Sequence, residues 1–209
     1  MPKTTEQDIR PSLFPDNFKL VILAIVVMCV LMFVEPLFAT YINQLGLIPK
    51  STQHLTGIVT SPFVHGSWGH LSGNIVGLLI SGYLASLQPK FKRVSVFIIT
   101  VTGSLVWLFG EYGNHIGASG IVMGYYGFLF GTAVFNRNLI AIISFTVLVA
   151  FTYYAGFAFF STLLDFSPQT SSTSHIFGFV SGLCGAYIFK IKEKDKKPKP
   201  ARSENRLGR

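Results

Sequence analysis

The sequence predicts an all-α membrane protein, a bundle of six transmembrane helices. Three observations predict it. Of 209 residues, 50% are hydrophobic and only 12% are charged, with a mean hydropathy of +0.50. Soluble domains carry about twice that charged fraction. The apolar residues fall into six runs separated by polar or Gly- and Pro-bearing turns. The 17 Lys and Arg residues, finally, collect in alternate connections and at the two ends. Twenty Phe and twenty Gly fit the same class, because aromatic bulk faces lipid and glycine lets helices approach closely.

Residues 1–17 are polar and carry Pro2, Pro11 and Pro15, so they form an N-terminal segment without expected fixed structure. The first apolar run, Phe18 to Ile42, is long enough to span a bilayer and too long for a signal-peptide core. Glu35-Pro36 interrupts it near its far end, and a carboxylate at that depth should face helices or water. Residues 43–69 form a long amphipathic connection, of a length that is usually functional or disordered. The second run spans His70 to Leu87 and closes on Gln88-Pro89-Lys90-Phe91-Lys92-Arg93. The third spans Val94 to Phe109 and the fourth, glycine-rich, Ser119 to Phe135. After the turn Asn136-Arg137-Asn138 the fifth spans Leu139 to Phe160. Ser161 to Ser174 is a polar loop, and the sixth run spans His175 to Phe189. The membrane core is thus expected over 18–190, followed by a basic tail over 191–209.

Of the basic residues only Lys50 falls in a connection on the far side, so both termini are expected in the cytoplasm. His65, His70, Ser119 and His175 then all lie toward the external face.

Three motifs open alternate runs at this common depth. They are His65-x4-His70-x3-Asn74, Gly117-Ala118-Ser119-Gly120 and His175-x2-Gly178-x3-Gly182. Serine-based peptide hydrolysis needs a nucleophile, a base and donors for the developing oxyanion. Ser119 and His175 supply the first two if the fourth and sixth helices touch, and Gly120, Gly124, Gly178 and Gly182 permit that contact. The free N–H groups and positive dipole end of a helix starting at Ser119 would favour an oxyanion. His70 and Asn74 share one helix face, and both can donate hydrogen bonds. The lesser alternative is that they only tie the long loop to the bundle. His65 reads as a loop anchor.

These motifs, in this order on these runs, resemble the rhomboid family of intramembrane serine proteases over about residues 18–190. The resemblance implies a six-helix rhomboid-like bundle and a Ser–His dyad without an acidic third member. By position, Ser119 is the nucleophile and His175 the general base. Asn74, His70 and the Ser119 backbone N–H form the oxyanion hole, Gly117 keeps the turn open, and Gly120 and Gly178 support it. No cofactor is implied. The partners are transmembrane protein substrates, cut near their outer membrane boundary after entering past the fifth helix under the loop Ser161–Ser174. Two positions depart from the family pattern. Met123 stands where many members carry an aromatic residue beneath the base, and no Trp-Arg pair occurs between Asn43 and Gly69. Inactive relatives typically lack the serine or the histidine, and this chain keeps both.

Other polar groups read more plainly. Glu111 and His115 suit a polar helix end, and Asp165 sits in a loop ill suited to orient a base. No His-Glu-x2-His motif occurs and neither Cys29 nor Cys184 lies near a histidine, so no metal is expected and the cysteines read as small hydrophobes. The tail, with nine Lys or Arg against three acids from Lys190 onward, suits membrane lipid headgroups or a topology anchor and not nucleic acid. The expected location is the bacterial plasma (inner) membrane. The sequence leaves the oligomeric state open. A non-catalytic membrane chaperone or adaptor that binds transmembrane helices is the main alternative, and a transporter or channel the third.

Overall fold

The apolar runs become helices. The computed structural model describes residues 15–137, 139–156 and 172–190, and there every extended element is helical. The N-terminal segment before residue 15, the end of the fifth run, most of the loop after it with Asp165, and the tail after Lys190 lie outside the described residues.

Helix α1 (Asp16–Asn43) contains Pro36, and Phe38 breaks its helical dihedrals at φ −130° and ψ 25°. Proline lacks an N–H and clashes with the carbonyl four residues back, which accounts for the kink. Glu35 beside it is partly buried. A connection with a 3-10 turn at Thr52–His54, the short helix α2 (Gly57–Thr60) and a second 3-10 turn at Ser61–Phe63 leads to α3 (Trp68–Gly77), a π turn over Leu78–Gly82, and α4 (Tyr83–Ser86). The Ser81 hydroxyl donates to the Gly77 carbonyl within that turn at 2.7 Å. Then follow α5 (Phe91–Phe109), α6 (Ser119–Asn136), α7 (Leu139–Tyr154) and α8 (Ser172–Ile188).

Helix α6 is central and buried along most of its length, with α8 packed closely against it. A Cβ built on Gly178 would strike the Gly120 carbonyl, and one on Gly182 the Gly124 carbonyl. Glycines at these two levels bring the two backbones into direct contact. α5 closes the other side of α8, and α7 leans on α6 and α4. The main core joins α1, α3, α5 and α6 through residues such as Met28, Leu71, Ile98 and Phe128.

The outside of the bundle is apolar as well. Phe33 and Leu37 of α1 are 78% and 81% exposed, and α7 exposes Leu139, Ile140 and Ile143. A soluble monomer rarely carries so continuous an apolar surface. Of the described helices, α1 and α5 are long and apolar enough on their own to cross a membrane, and α7 is a shorter apolar helix. The other described helices do not meet that test. A π turn divides α3 from α4, and the glycines, tyrosines and hydroxyls of α6 suit a central helix screened from lipid.

Candidate active site

The turn before Ser119 is built by its neighbours. Gly117 has φ +104°, a conformation that side-chain-bearing residues rarely adopt. Its N–H donates to the Ser61 carbonyl at 3.0 Å. A Cβ on Gly117 would stand 2.5 Å from both Cε1 and Nε2 of His70, and 3.5 Å from Asn74 Nδ2. Gly117, His70 and Asn74 therefore converge. Ser119 is the first residue of α6 and is partly exposed. The first intrahelical bonds of α6 run from Ile121 and Val122 to the Ala118 carbonyl, so the N–H groups of Ser119 and Gly120 point out of the helix end.

His70 and Asn74 occupy the first turns of α3, which Ser67 caps by accepting the His70 N–H at 3.1 Å. Asn74 is buried and gives one amide N–H to the His70 carbonyl at 3.0 Å, leaving a second to give. His175 lies one turn inside α8, not at its first residue, and is 2% exposed. A Cβ on Gly120 would sit 3.2 Å from the Ser174 carbonyl. Thus the neighbours of Ser119 and His175 touch backbone to backbone, and Gly178 keeps the helices together one turn below. The His70 and His175 imidazoles are within electrostatic reach of each other. Met123 is buried with Tyr126, Leu129 and Leu148, with Phe179 packed against them. Phe179 lies one turn below His175 and places an aromatic ring in the cluster that holds Met123.

The long connection is braced without a Trp-Arg pair. Leu47 and His115 exchange two backbone hydrogen bonds of 3.0 and 2.8 Å. The Asn114 amide donates to the Asn43 carbonyl, and the Trp107 indole donates to the Ser51 carbonyl. His115 Nε2 donates to the Glu111 carbonyl at 2.7 Å, while Glu111 itself is exposed. His65 makes no hydrogen bond through either ring nitrogen and packs its ring against His70.

Behind Gly117 and Gly120 lies a cavity of about 30 Å³, lined also by Ser61, Thr102 and Ser174. A water needs roughly 10–15 Å³ of such space. Thr102 Oγ1 is buried and makes no hydrogen bond there. A hydroxyl on α5 facing this space had no signal in the sequence beyond being polar in an apolar run. Among the described residues no three His, Cys, Asp or Glu side chains gather in a way that could hold a metal.

A helical bundle with an apolar exterior, whose polar residues from three helices meet at one end, defines the class: an integral membrane protein with an internal polar site. Residues 52–192 match the Rhomboid domain, and the chain belongs to that family. It is similar to uncharacterized proteins of Mycobacterium tuberculosis and Mycobacterium bovis, each 30% identical over 77% of this chain and 70% of the relative. An uncharacterized protein of Mycobacterium leprae is 31% identical over 71% of this chain and 62% of its own length.

Proposed function

We propose that this protein is an intramembrane serine endopeptidase that cuts transmembrane substrates near their outer membrane boundary. The observation that carries this reading is the close backbone approach of α6 and α8 at Gly120 and Ser174, the immediate neighbours of Ser119 and His175, and at Gly178 one turn further along α8. Neutral His175 takes the proton of Ser119, whose oxygen attacks the substrate carbonyl. The oxyanion that forms meets N–H donors of His70, Asn74 and the Ser119 backbone. Collapse protonates the leaving amine from His175 and leaves an acyl-enzyme. A water then attacks the ester while His175 accepts its proton; the bond to Ser119 Oγ breaks, His175 returns the proton to that oxygen, and the acid product departs. The cavity behind Gly117 and Gly120, with Ser61, Thr102 and Ser174 in its wall, has room for a water that could supply this step.

The accompanying topology is six spans over residues 18–190, with the segment 1–17 and the tail 191–209 in the cytoplasm of a bacterial cell and the site toward the outside of the inner membrane. Membrane lipids surround the bundle. The test is cleavage of a reporter transmembrane substrate by Ser119→Ala and His175→Ala. Each should abolish cleavage while the protein still accumulates in the membrane. Cleavage retained by either variant removes the dyad, and a chain that binds transmembrane helices but never cuts them is the adaptor of the alternative reading.

A further inference from the structure

His65 is 4% exposed, yet neither of its ring nitrogens makes a hydrogen bond. Buried polar atoms almost always have a partner, and an exception calls for a reason. The Phe63 backbone also acts on this ring, but its effect is smaller than that of burial or of His70. Packing therefore outweighs polar bonding in holding this ring. What it touches is another ring. His65 and His70 meet edge to face, with centroids 5.0 Å apart and planes 65° to one another. This is a favoured geometry for aromatic pairs. His70 in turn abuts Gly117, two residues before Ser119, so closely that no Cβ fits there. The imidazole of His70 is fixed by a ring and by a backbone.

We infer that His65 is a positioning residue, whose ring holds His70 by edge-to-face packing at the angle needed to donate to the substrate oxyanion. This rests on the reading of His70 as an oxyanion donor. Burial, and then the facing His70, push His65 down to about 4, so its ring is neutral at physiological pH and adds no charge beside the donor. The role needs a flat ring and not its nitrogens, so a phenyl ring should perform it.

The experiment measures kcat and KM of the full chain in liposomes with a reporter transmembrane substrate, together with thermal unfolding. His65→Ala should lower kcat about tenfold with KM unchanged, since a displaced donor costs rate at the chemical step. His65→Phe should keep at least half of the wild-type kcat and unfold no earlier. If His65→Ala does not accumulate, His65→Leu replaces it with the same expectation, because it fills space without a ring edge. In a His70→Ala background the His65 variant should add no further loss. A His65→Phe enzyme as slow as His65→Ala would overturn the inference, as would a full tenfold loss added on top of His70→Ala. An unchanged kcat in His70→Ala alone would instead overturn the oxyanion reading of His70 and the inference with it.

Discussion

Gly117→Ala is the most informative single perturbation of the site. The backbone there sits at φ +104°, and a non-glycine residue in so sparse a region costs about 1–3 kcal/mol. The new Cβ would lie 2.5 Å from Cε1 and Nε2 of His70. Carbon atoms rest at about 3.5 Å or more, so the imidazole must retreat by roughly 1 Å. Asn74 Nδ2, at 3.5 Å, is in ordinary contact and is spared. A misplacement of about 1 Å costs on the order of 100-fold, and deletion of an oxyanion donor 100- to 1,000-fold. We expect kcat to fall about 100-fold, or about 2.7 kcal/mol, with KM little changed. The assay is steady-state cleavage of a reporter substrate in liposomes, with thermal unfolding to follow stability. Gly73→Ala is the control: it occupies an exposed position of α3 with nothing within 4 Å of its Cβ, and should leave both readouts intact. A folded Gly117→Ala enzyme within twofold of wild type would refute the placement of His70 in the oxyanion hole.

Gly178→Ala should push α8 off the Gly120 carbonyl. Overpacking of this kind costs about 1–3 kcal/mol, so both unfolding temperature and turnover should drop, and an unaltered protein would contradict the backbone contact. Thr102→Val removes the hydroxyl at the cavity while keeping its shape. Loss of one hydrogen bond to water, about 0.5–1.5 kcal/mol, should slow deacylation roughly 2- to 13-fold, seen as acyl-enzyme accumulation in rapid-quench experiments, with serine labelling unaffected. Stability should also depend on pH through His65. Its folded value is about 4 against an ordinary 6.5, so the unfolded chain takes up the proton first. This contribution is complete above about pH 6.5 and is lost as pH falls toward 4. His65→Phe should flatten that part of the unfolding profile in detergent, and an unchanged slope would place the titration elsewhere.

The helical class and the family were legible in the sequence, because both rest on local patterns. Apolar runs announce helices by length, and the motifs at Asn74, Ser119 and His175 combine chemistry with order along the chain. Helix starts were legible to within a turn: Ser119 does begin α6, while α8 starts before His175. What could not be read depends on pairs distant in sequence. The π turn after Gly77 replaces what reads as one straight span. The brace of the long connection uses backbone groups of Leu47, Ser51 and Ser61, which carry no side-chain signature. His65 reads as a loop anchor from its position alone, and only coordinates show its nitrogens unused and its ring against His70. Thr102 looks like a helix hydroxyl bonded to its own backbone until the cavity beside it is seen.

The central claim is that Ser119 is an activated nucleophile served by His175. A fluorophosphonate probe measures this directly, since stable phosphonylation requires a serine whose proton a neighbouring base removes. Incubation of the protein in liposomes, followed by peptide mass spectrometry, should find a single adduct on Ser119 that disappears in His175→Ala while that variant stays folded. A wild-type protein that takes up no probe, or an adduct on Ser119 that forms equally well without His175, would contradict the account.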